Sequence, residues 1–264
     1  MQIIAFGAHP DDCEFCAGGT AAKWVAAGHR VRFVALTNGA AGHHVEPGPG
    51  LARRRRAEAE EAGRRAGVDA LVLDVPDGAL FATLELRERV IRLVREWRAD
   101  LVLGHRPNDY HPDHRQAAAL VQDAAYLVTV PGICRDTPPL GRNPIFMYFQ
   151  DRFTKPTPFS PDVVVDVDDV MEKKVAMLDA HVSQVYEFLA WQDGLLPEVP
   201  AEAEARRAWL RRRLETPLAP AVREALARRY GPARAAAVRH AEAFEICEYG
   251  RQPTADELAA LFPA

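Results

Sequence analysis

Alternation of short apolar runs with amphipathic segments is the feature of this sequence that most restricts its fold. Residues 31–37 form a nearly continuous apolar run, which is typical of a strand covered on both faces. Residues 84–98 carry apolar side chains at helical spacing, and another short apolar run, 100–104, follows directly. Because strands that alternate with helices form parallel sheets with right-handed crossovers, the pattern predicts an α/β protein.

The same pattern extends over most of the 264 residues. It predicts strands at 2–8, 31–37, 70–75, 100–104, 145–149 and 163–167, and helices at 18–27, 51–67, 84–98, 113–127 and 170–190. We therefore expect a Rossmann-like three-layer sandwich with a mainly parallel sheet and a C-terminal helical elaboration. Residues 1–190 would form the α/β core, and residues 191–264 would form a helical extension packed on the same domain.

Composition and charge narrow the kind of partner. The formal net charge is −4, so the chain as a whole has no attraction for nucleic acid or for an anionic membrane. No run approaches the roughly 18 consecutive apolar residues that span a bilayer. The first four residues, MQII, lack the basic start of a signal peptide. We expect a cytoplasmic protein whose partner is a small molecule.

Two clusters of histidine and aspartate follow predicted strands. His9-Pro10-Asp11-Asp12 comes directly after the first strand, and His111-Pro112-Asp113-His114 comes a few residues after the strand at 100–104. Either cluster alone is also typical of a structural turn, in which Pro fixes φ and Asp caps the next helix. Ligand sites of open parallel sheets form at the carboxyl ends of the strands. The two clusters together therefore indicate one shared site.

Histidine and aspartate suit a catalytic zinc, which keeps three protein ligands and one position open to water. We predict three metal ligands: His9, Asp12 and His114. Iron or cobalt, as Fe²⁺ or Co²⁺, would suit the same ligand set. The remaining carboxylate, Asp11, would act as general base, and the imidazolium of His111 would stabilise an oxyanion or protonate a leaving amine. Asp113 would orient a histidine from behind.

Three motifs resemble the PIG-L/LmbE-like family of zinc-dependent N-deacetylases. They are AHPDD at residues 8–12, GGT at 18–20 and HPDH at 111–114. The resemblance covers residues 1–190. It implies a hydrolase that removes an N-acetyl group from a small sugar-like substrate, such as an N-acetylglucosamine conjugate. It also implies the same metal ligands and base, and a homo-oligomer of unspecified size.

The resemblance further implies contacts to the substrate. Arg55 and Asp77 map onto positions that contact substrate hydroxyls. Asp109 stands where many relatives carry a tyrosine, and with Asn108 and His105 it leads into the second cluster, so we place Asn108 and Asp109 among the substrate-binding residues. Two residues of a later motif, HVSQ, either bind ligand or buttress the loops: His181 and Gln184.

Two further pairs of residues have more than one interpretation. Cys13 and Cys16 have the spacing of a redox or metal pair, but they enter a helix without a partner pair, which favours small packed residues. His43 and His44 lie in a glycine-bearing loop. Adjacent loop histidines without a specific role are the commoner case, and contact with substrate or a second metal is the alternative.

Other functions also fit these residues. They are a metal-dependent amidase acting on a non-sugar conjugate, a two-metal phosphoesterase, and a non-catalytic sugar-binding protein of the same fold. A two-metal centre normally needs further bridging carboxylates, and pure binding needs no free base beside the metal. The loops at 38–50, 131–160 and 191–220 would decide the substrate.

Overall fold

The computed structural model describes residues 1–262, which are built around a seven-stranded mixed sheet. The strands are β1 (Gln2–Gly7), β2 (Arg30–Ala35), β3 (Asp69–Val72), β4 (Leu101–Gly104), β5 (Ile145–Phe149), β6 (Val163–Asp166) and β7 (Ala241–Ile246). Their order is β3-β2-β1-β4-β5-β7-β6. The first five strands are parallel, and β7 runs antiparallel to both β5 and β6. The predicted mainly parallel sheet is confirmed.

Helices cover both faces of this sheet. They are α1 (Asp12–Ala26), α2 (Pro49–Ala66), α3 (Leu84–Trp97), α4 (Pro112–Leu127), α5 (Met171–Ala180), α6 (Leu189–Gln192), α7 (Ala203–Arg213), α8 (Pro220–Tyr230), α9 (Pro232–Ala237) and α10 (Ala255–Leu261). No helix within residues 1–262 combines the length and the apolar character needed to cross a bilayer.

Strand β1 shows how the layers arise, because successive side chains of a strand point to opposite faces. Ile3 and Ala5 pack into the apolar cluster that holds residues of α1, α2 and α5. Ile4 and Phe6 pack into the cluster formed with α3 and α4. All four side chains are fully buried. This arrangement is the expected three-layer sandwich.

Helix α3 illustrates how the sequence sets element boundaries. Its N-cap is Thr83, whose hydroxyl accepts a hydrogen bond from the Leu86 backbone N–H. Val90, Val94 and Trp97 recur at helical spacing and are buried against the sheet. The side chains on the opposite face, including an exposed arginine at position 89, contact solvent.

The segment predicted as one helix over 170–190 is interrupted. Helix α5 ends at Ala180, His181 has a non-helical ψ of 58°, and Ser183–Phe188 then forms a π-helical segment before α6. At this break the His181 side chain is fully buried, and its Nε2 lies 3.4 Å from Glu14 Oε1 of α1. The helical spacing of apolar residues continues through the interruption, so the sequence pattern does not predict the break.

Residues beyond 190 contribute more than helices. Helices α7 to α10 belong to this part of the chain, and it also supplies β7, which inserts between β5 and β6. Buried residues of α8 and α9 pack against β6 and β7 in a separate apolar cluster. The predicted division at residue 190 stays a prediction, and the segment that follows it shares the sheet of the core.

Candidate active site

The two histidine and aspartate clusters meet at the carboxyl edge of the sheet. Strands β1 and β4 are neighbours, β2 and β3 extend the sheet beyond β1, and β5 extends it beyond β4. Such a reversal of strand order opens a crevice beyond the strand ends. Residues 8–11 follow β1 and residues 105–111 follow β4. Both clusters therefore project into the same crevice.

The three predicted metal ligands lie in mutual contact through both carboxylate oxygens of Asp12, and we call this set of side chains the ligand triangle. His114 Nε2 lies 3.3 Å from His9 Nδ1 and 3.5 Å from Asp12 Oδ1. His9 Nδ1 lies 3.6 Å from Asp12 Oδ2. Ligand atoms about 2.1 Å from a tetrahedral zinc lie about 3.4 Å from one another. The three separations are close to this value. Within residues 1–262, His114 also belongs to two compact sets of possible metal ligands, one with His9 and His111 and one with Asp12 and His105.

His9 is held through its other ring nitrogen. Its Nε2 lies 3.2 Å from Asp77 Oδ1 and 3.3 Å from Asp113 Oδ2. Asp113 is fully buried and also accepts hydrogen bonds from the backbone N–H groups of Gly78 and Leu80. A metal-binding histidine usually donates its second ring N–H to a carboxylate. This contact leaves Nδ1 of His9 free for a metal.

Asp77 is tied into the same arrangement. Burial opposes its ionisation, but the hydrogen bond and charge of His9, the charge of Arg55 and the Ala41 N–H together outweigh burial and lower the pKa of Asp77 to about 2. Its Oδ2 accepts a hydrogen bond from the Ala41 backbone N–H. Asp77 lines the pocket, but its oxygens already face protein groups. Its predicted contact with substrate hydroxyls remains a prediction.

His114 is oriented in the same manner as His9. Its Nδ1 lies 3.1 Å from Asp109 Oδ1, which also accepts a hydrogen bond from the His111 backbone N–H. Burial lowers the pKa of His114, but the charges of Asp12 and Asp109 outweigh it and raise the pKa to about 9. Asp109 thus contacts the ring nitrogen of His114 that faces away from the proposed metal. Its predicted contact with substrate stays a prediction.

His105 belongs to this site as a neighbour of Asp12. Its Nε2 lies 3.2 Å from Asp12 Oδ2, and its ring stacks on that of His114 with 4.1 Å between centroids. The His9 backbone N–H also donates to Asp12. Burial raises the pKa of Asp12, but His114 and His105 outweigh burial and keep the pKa well below its usual value. Asp12 is therefore a carboxylate held ready as a ligand.

Asp11 lies beside the ligand triangle and contacts a buried arginine. Its Oδ2 is 3.2 Å from Arg55 Nη2. The guanidinium of Arg55 also donates hydrogen bonds to the carbonyl oxygens of Gly39 and Pro10. Burial raises the pKa of Asp11, and Arg55 opposes that rise. Arg55 thus holds Asp11, the predicted general base, in place. The predicted contact between Arg55 and substrate remains a prediction.

His111 combines a structural contact with a free nitrogen. It is the N-cap of α4, and its Nδ1 accepts a hydrogen bond of 3.1 Å from the Asp113 backbone N–H. A ring nitrogen that accepts carries no proton, so Nε2 is the donor. Burial and the charges of His9 and His114 lower the pKa of His111. The geometry thus favours a neutral Nε2–H donor over the predicted imidazolium.

A cavity of about 430 Å³ opens over these groups, a size typical of small-molecule sites. Phe15 and Tyr110 line one side, and Gln184 and Phe188 of the π-helical segment line the other. Asn108 lies elsewhere, in a separate cavity beyond Tyr110. The structure therefore does not bring Asn108 to the metal ligands, and its substrate role stays a prediction.

The π-helical segment is anchored from beneath. Ser183 donates hydrogen bonds from both its backbone N–H and its hydroxyl to Glu58 of α2. Gln184 donates to the Gly42 carbonyl, and His181 Nε2 lies 3.4 Å from Glu14 Oε1. These contacts favour the buttressing role for His181 and Gln184. The HVSQ motif indicates this support in the sequence. The partner residues lie on other segments of the chain and do not follow from the motif.

The two cysteines and two histidines with more than one interpretation in the sequence fit a structural role. Cys13 and Cys16 form no disulfide, and burial raises the pKa of each thiol, which keeps them protonated. His43 Nε2 lies 2.9 Å from Glu187 Oε2, and its Nδ1 accepts backbone hydrogen bonds within its own loop. The His44 ring lies parallel to that of Trp191 at 5.0 Å.

Comparison with known proteins identifies relatives of this chain. The family model PIG-L, described as GlcNAc-PI de-N-acetylase, matches residues 4–125. A diacetylchitobiose deacetylase of Thermococcus kodakarensis is 30% identical over 194 residues, which span 69% of this chain and 70% of that enzyme.

Solved structures agree with this assignment. The N,N'-diacetylchitobiose deacetylase of Pyrococcus horikoshii is 25% identical with a TM-score of 0.69, over 96% of this chain and 87% of that one. The 4-carboxy-2-hydroxymuconate hydratase GalB of Pseudomonas putida KT2440, 21% identical, has a TM-score of 0.71 over 96% and 99% of the two chains and shares the fold alone. The chain belongs to the PIG-L family of N-deacetylases.

Proposed function

We propose that this protein is a metal-dependent N-deacetylase that releases acetate from an N-acetylglucosamine-type sugar. The observation that carries the proposal is the ligand triangle of His9, Asp12 and His114 beside the carboxylate of Asp11, within one small-molecule pocket. The family description and the diacetylchitobiose deacetylase relative direct the choice of substrate toward acetylated amino sugars.

The donor set suits a cation. Five carboxylates surround the crevice: Asp11, Asp12, Asp77, Asp109 and Asp113. Arg55 is the arginine that approaches them, within 4.0 Å of Asp11 and Asp77. Imidazole and carboxylate ligands favour zinc, with iron or cobalt as alternatives. When bound, such an ion would polarise the acetyl carbonyl and make a water molecule more acidic.

The side chains around the substrate would carry the proton transfers. Asp11 accepts a proton from the water whose oxygen forms the new bond to the acetyl carbon. His111 donates a hydrogen bond from Nε2–H to the carbonyl oxygen as negative charge develops there. When the carbon–nitrogen bond breaks, Asp11 returns its proton to the amine nitrogen. The products are acetate and the free amino sugar.

Acetate release from an amino-sugar panel tests the proposal. The panel comprises N-acetylglucosamine, its methyl glycoside and N,N'-diacetylchitobiose, incubated with zinc-loaded protein. We expect Asp11→Asn to keep about one zinc per chain and to lose a factor of about 10²–10⁴ in kcat, because it lacks only the base. Asp12→Asn should lose the metal itself. A fully metallated wild type that releases no acetate from any member would contradict the proposal.

The metal content also separates the rival functions. A two-metal hydrolase requires two ions per chain, whereas the ligand triangle accounts for one. A sugar-binding protein would retain affinity for the panel without turnover, in both the wild type and Asp11→Asn. An amidase for non-sugar conjugates would leave the panel intact and cleave acetylated amines that lack the sugar ring.

A further inference from the structure

A second cavity adjoins the active-site pocket. Its volume is about 560 Å³, larger than the pocket over the ligand triangle. Phe15 and Tyr110 line both spaces. The ring of Tyr110, whose residue is 71% exposed, lies 5.6 Å from that of His114 and 6.2 Å from that of Phe153. A ligand bound at the triangle can therefore extend past Tyr110 into this second space.

Residues from the core and from the C-terminal segment enclose this space, which we call the C-terminal cavity. Core residues and residues that follow α7 both contribute apolar side chains to its lining. The apolar lining residues are Phe15, Phe153, Val167, Met171, Leu214 and Leu218. The loop between α7 and α8, within the stretch expected to decide the substrate, thus forms part of the cavity.

Two guanidinium groups at this cavity have no acidic partner. Arg152 and Arg239 line it, both are exposed, and no ion pair within residues 1–262 engages either of them. The other lining cations differ in this respect. Lys174 pairs with Glu242 at 2.7 Å, and Arg213 pairs with an aspartate of the preceding loop. The two carboxylates that line the cavity, Asp151 and Glu242, pair with Arg106 and Lys174, so the charges of Arg152 and Arg239 are available for a ligand.

The backbone beneath each of these arginines is fixed. Asp151 Oδ1 accepts a hydrogen bond of 2.9 Å from the Phe153 N–H, across the turn that carries Arg152. Asp168 accepts hydrogen bonds of 2.9 and 2.8 Å from the backbone N–H groups of Arg239 and the residue after it. Fixed attachment points reduce the ordering entropy that binding would otherwise cost.

We propose that the C-terminal cavity is a subsite for the part of the substrate beyond the acetylated sugar, and that Arg152 and Arg239 bind an anionic group there. This proposal rests on the proposed function. The acetyl group must lie at the ligand triangle, so a substituent on the sugar extends toward Tyr110 and the cavity. Guanidinium groups bind carboxylate and phosphate in bidentate fashion, so the substrate class is an N-acetylated amino sugar bearing one of these anions.

Three glycosides that differ only in charge test this subsite. They are the neutral methyl N-acetylglucosaminide, the carboxymethyl N-acetylglucosaminide, and N-acetylglucosamine 1-phosphate. We expect wild-type kcat/KM to be at least about tenfold higher for one or both anionic compounds, through a lower KM. The combined change Arg152→Gln with Arg239→Gln should remove this preference. The ranking of the two anions identifies the group that the subsite takes.

Arg89→Gln, an exposed arginine on α3, is the matched control and should keep the preference. Calorimetric binding of glucosamine 1-phosphate gives a readout independent of turnover, and the double variant should weaken it by about tenfold. Equal kcat/KM for neutral and anionic glycosides, or a preference that survives the double change, would overturn the subsite while leaving the deacetylase intact. If no glycoside releases acetate, the proposed function fails, and the calorimetric comparison alone decides the subsite.

Discussion

His9 Nε2 lies 3.3 Å from Asp113 Oδ2, a contact that joins side chains 104 residues apart in the chain. His9 belongs to the loop after β1, and Asp113 to the first turn of α4. The carboxylate of Asp113 also receives two backbone N–H groups from the loop at 78–80. One buried carboxylate thus orients a candidate metal ligand and fastens two loops to the start of α4.

Removing this carboxylate should weaken metal binding. We expect Asp113→Ala to lower zinc affinity by about 10–100-fold, because His9 loses one of the two carboxylates that orient its ring. Competition with a chromogenic chelator measures the affinity. Asp123→Ala is the matched control, since this exposed aspartate lies on the same helix. Wild-type affinity in Asp113→Ala would show that Asp113 is not needed to orient His9.

Metal binding should also stabilise the fold, since the ligands come from loops that meet only in the native state. Zinc at 100 times its Kd contributes about 2.7 kcal/mol, which for a chain of this size raises Tm by roughly 5–10 °C. Differential scanning calorimetry of chelator-treated and zinc-reloaded protein measures the shift. Asp12→Asn should lose it. The same shift in wild type and Asp12→Asn would place the zinc elsewhere.

The contacts of Asp179, which lies away from the metal site, should make the free energy of unfolding depend on pH. It accepts hydrogen bonds from Tyr186, Arg65 and Arg207, which link α5 to the π-helical segment, α2 and α7. Burial opposes its ionisation, but these partners outweigh burial and lower the pKa of Asp179. Its contribution is therefore complete above the unfolded-state pKa of about 3.9 and is lost as pH falls through the lower native pKa.

The change Asp179→Asn exposes this dependence. At pH 7 we expect a loss of about 1–3 kcal/mol in the free energy of unfolding, because hydrogen bonds to a charged group are lost. The difference in free energy of unfolding between variant and wild type should shrink below about pH 4, because the wild-type carboxylate then contributes progressively less stability. Urea unfolding at pH 7, 5 and 3.5 measures it. A difference that stays constant across these pH values would rule out the charge of Asp179 as its cause.

Local patterns made the sheet and the ligand triangle predictable. The apolar runs of β1, β2 and β4 are contiguous in sequence, and each histidine–proline–aspartate cluster lies within a few residues of a strand end. Because parallel strands present their carboxyl ends at one edge, proximity of His9 and His114 follows from topology. These inferences needed only the short-range order of the chain.

Long-range pairings were not predictable in the same manner. Strand β7 inserts between β5 and β6 after a separation of about ninety residues from β5, and no local pattern specifies its neighbours. The contacts of Asp77 and Asp109 with ring nitrogens depend on how separate loops pack. The break at His181 occurs where its side chain is buried beside Glu14, a residue of another helix.

Gly39 offers the sharpest test of how the base is held. Its φ is +67°, and a Cβ at this position would lie 2.6 Å from Arg55 Nη1. The Gly39 carbonyl also accepts a hydrogen bond from the same guanidinium. Gly39→Ala should displace Arg55 from Asp11 and lower kcat by about 10–100-fold. Zinc affinity should stay at the wild-type value, because the ligand triangle is untouched.

Gly28→Ala provides the control for backbone strain alone. Gly28 has a φ of +81°, and nothing lies within 4 Å of an added Cβ. Both variants should lose about 1–2 kcal/mol of stability, since an alanine is strained in this region of backbone space. Only Gly39→Ala should lose kcat, as measured by steady-state acetate release. If Gly39→Ala turns over as fast as Gly28→Ala, then Arg55 does not position Asp11 for proton transfer.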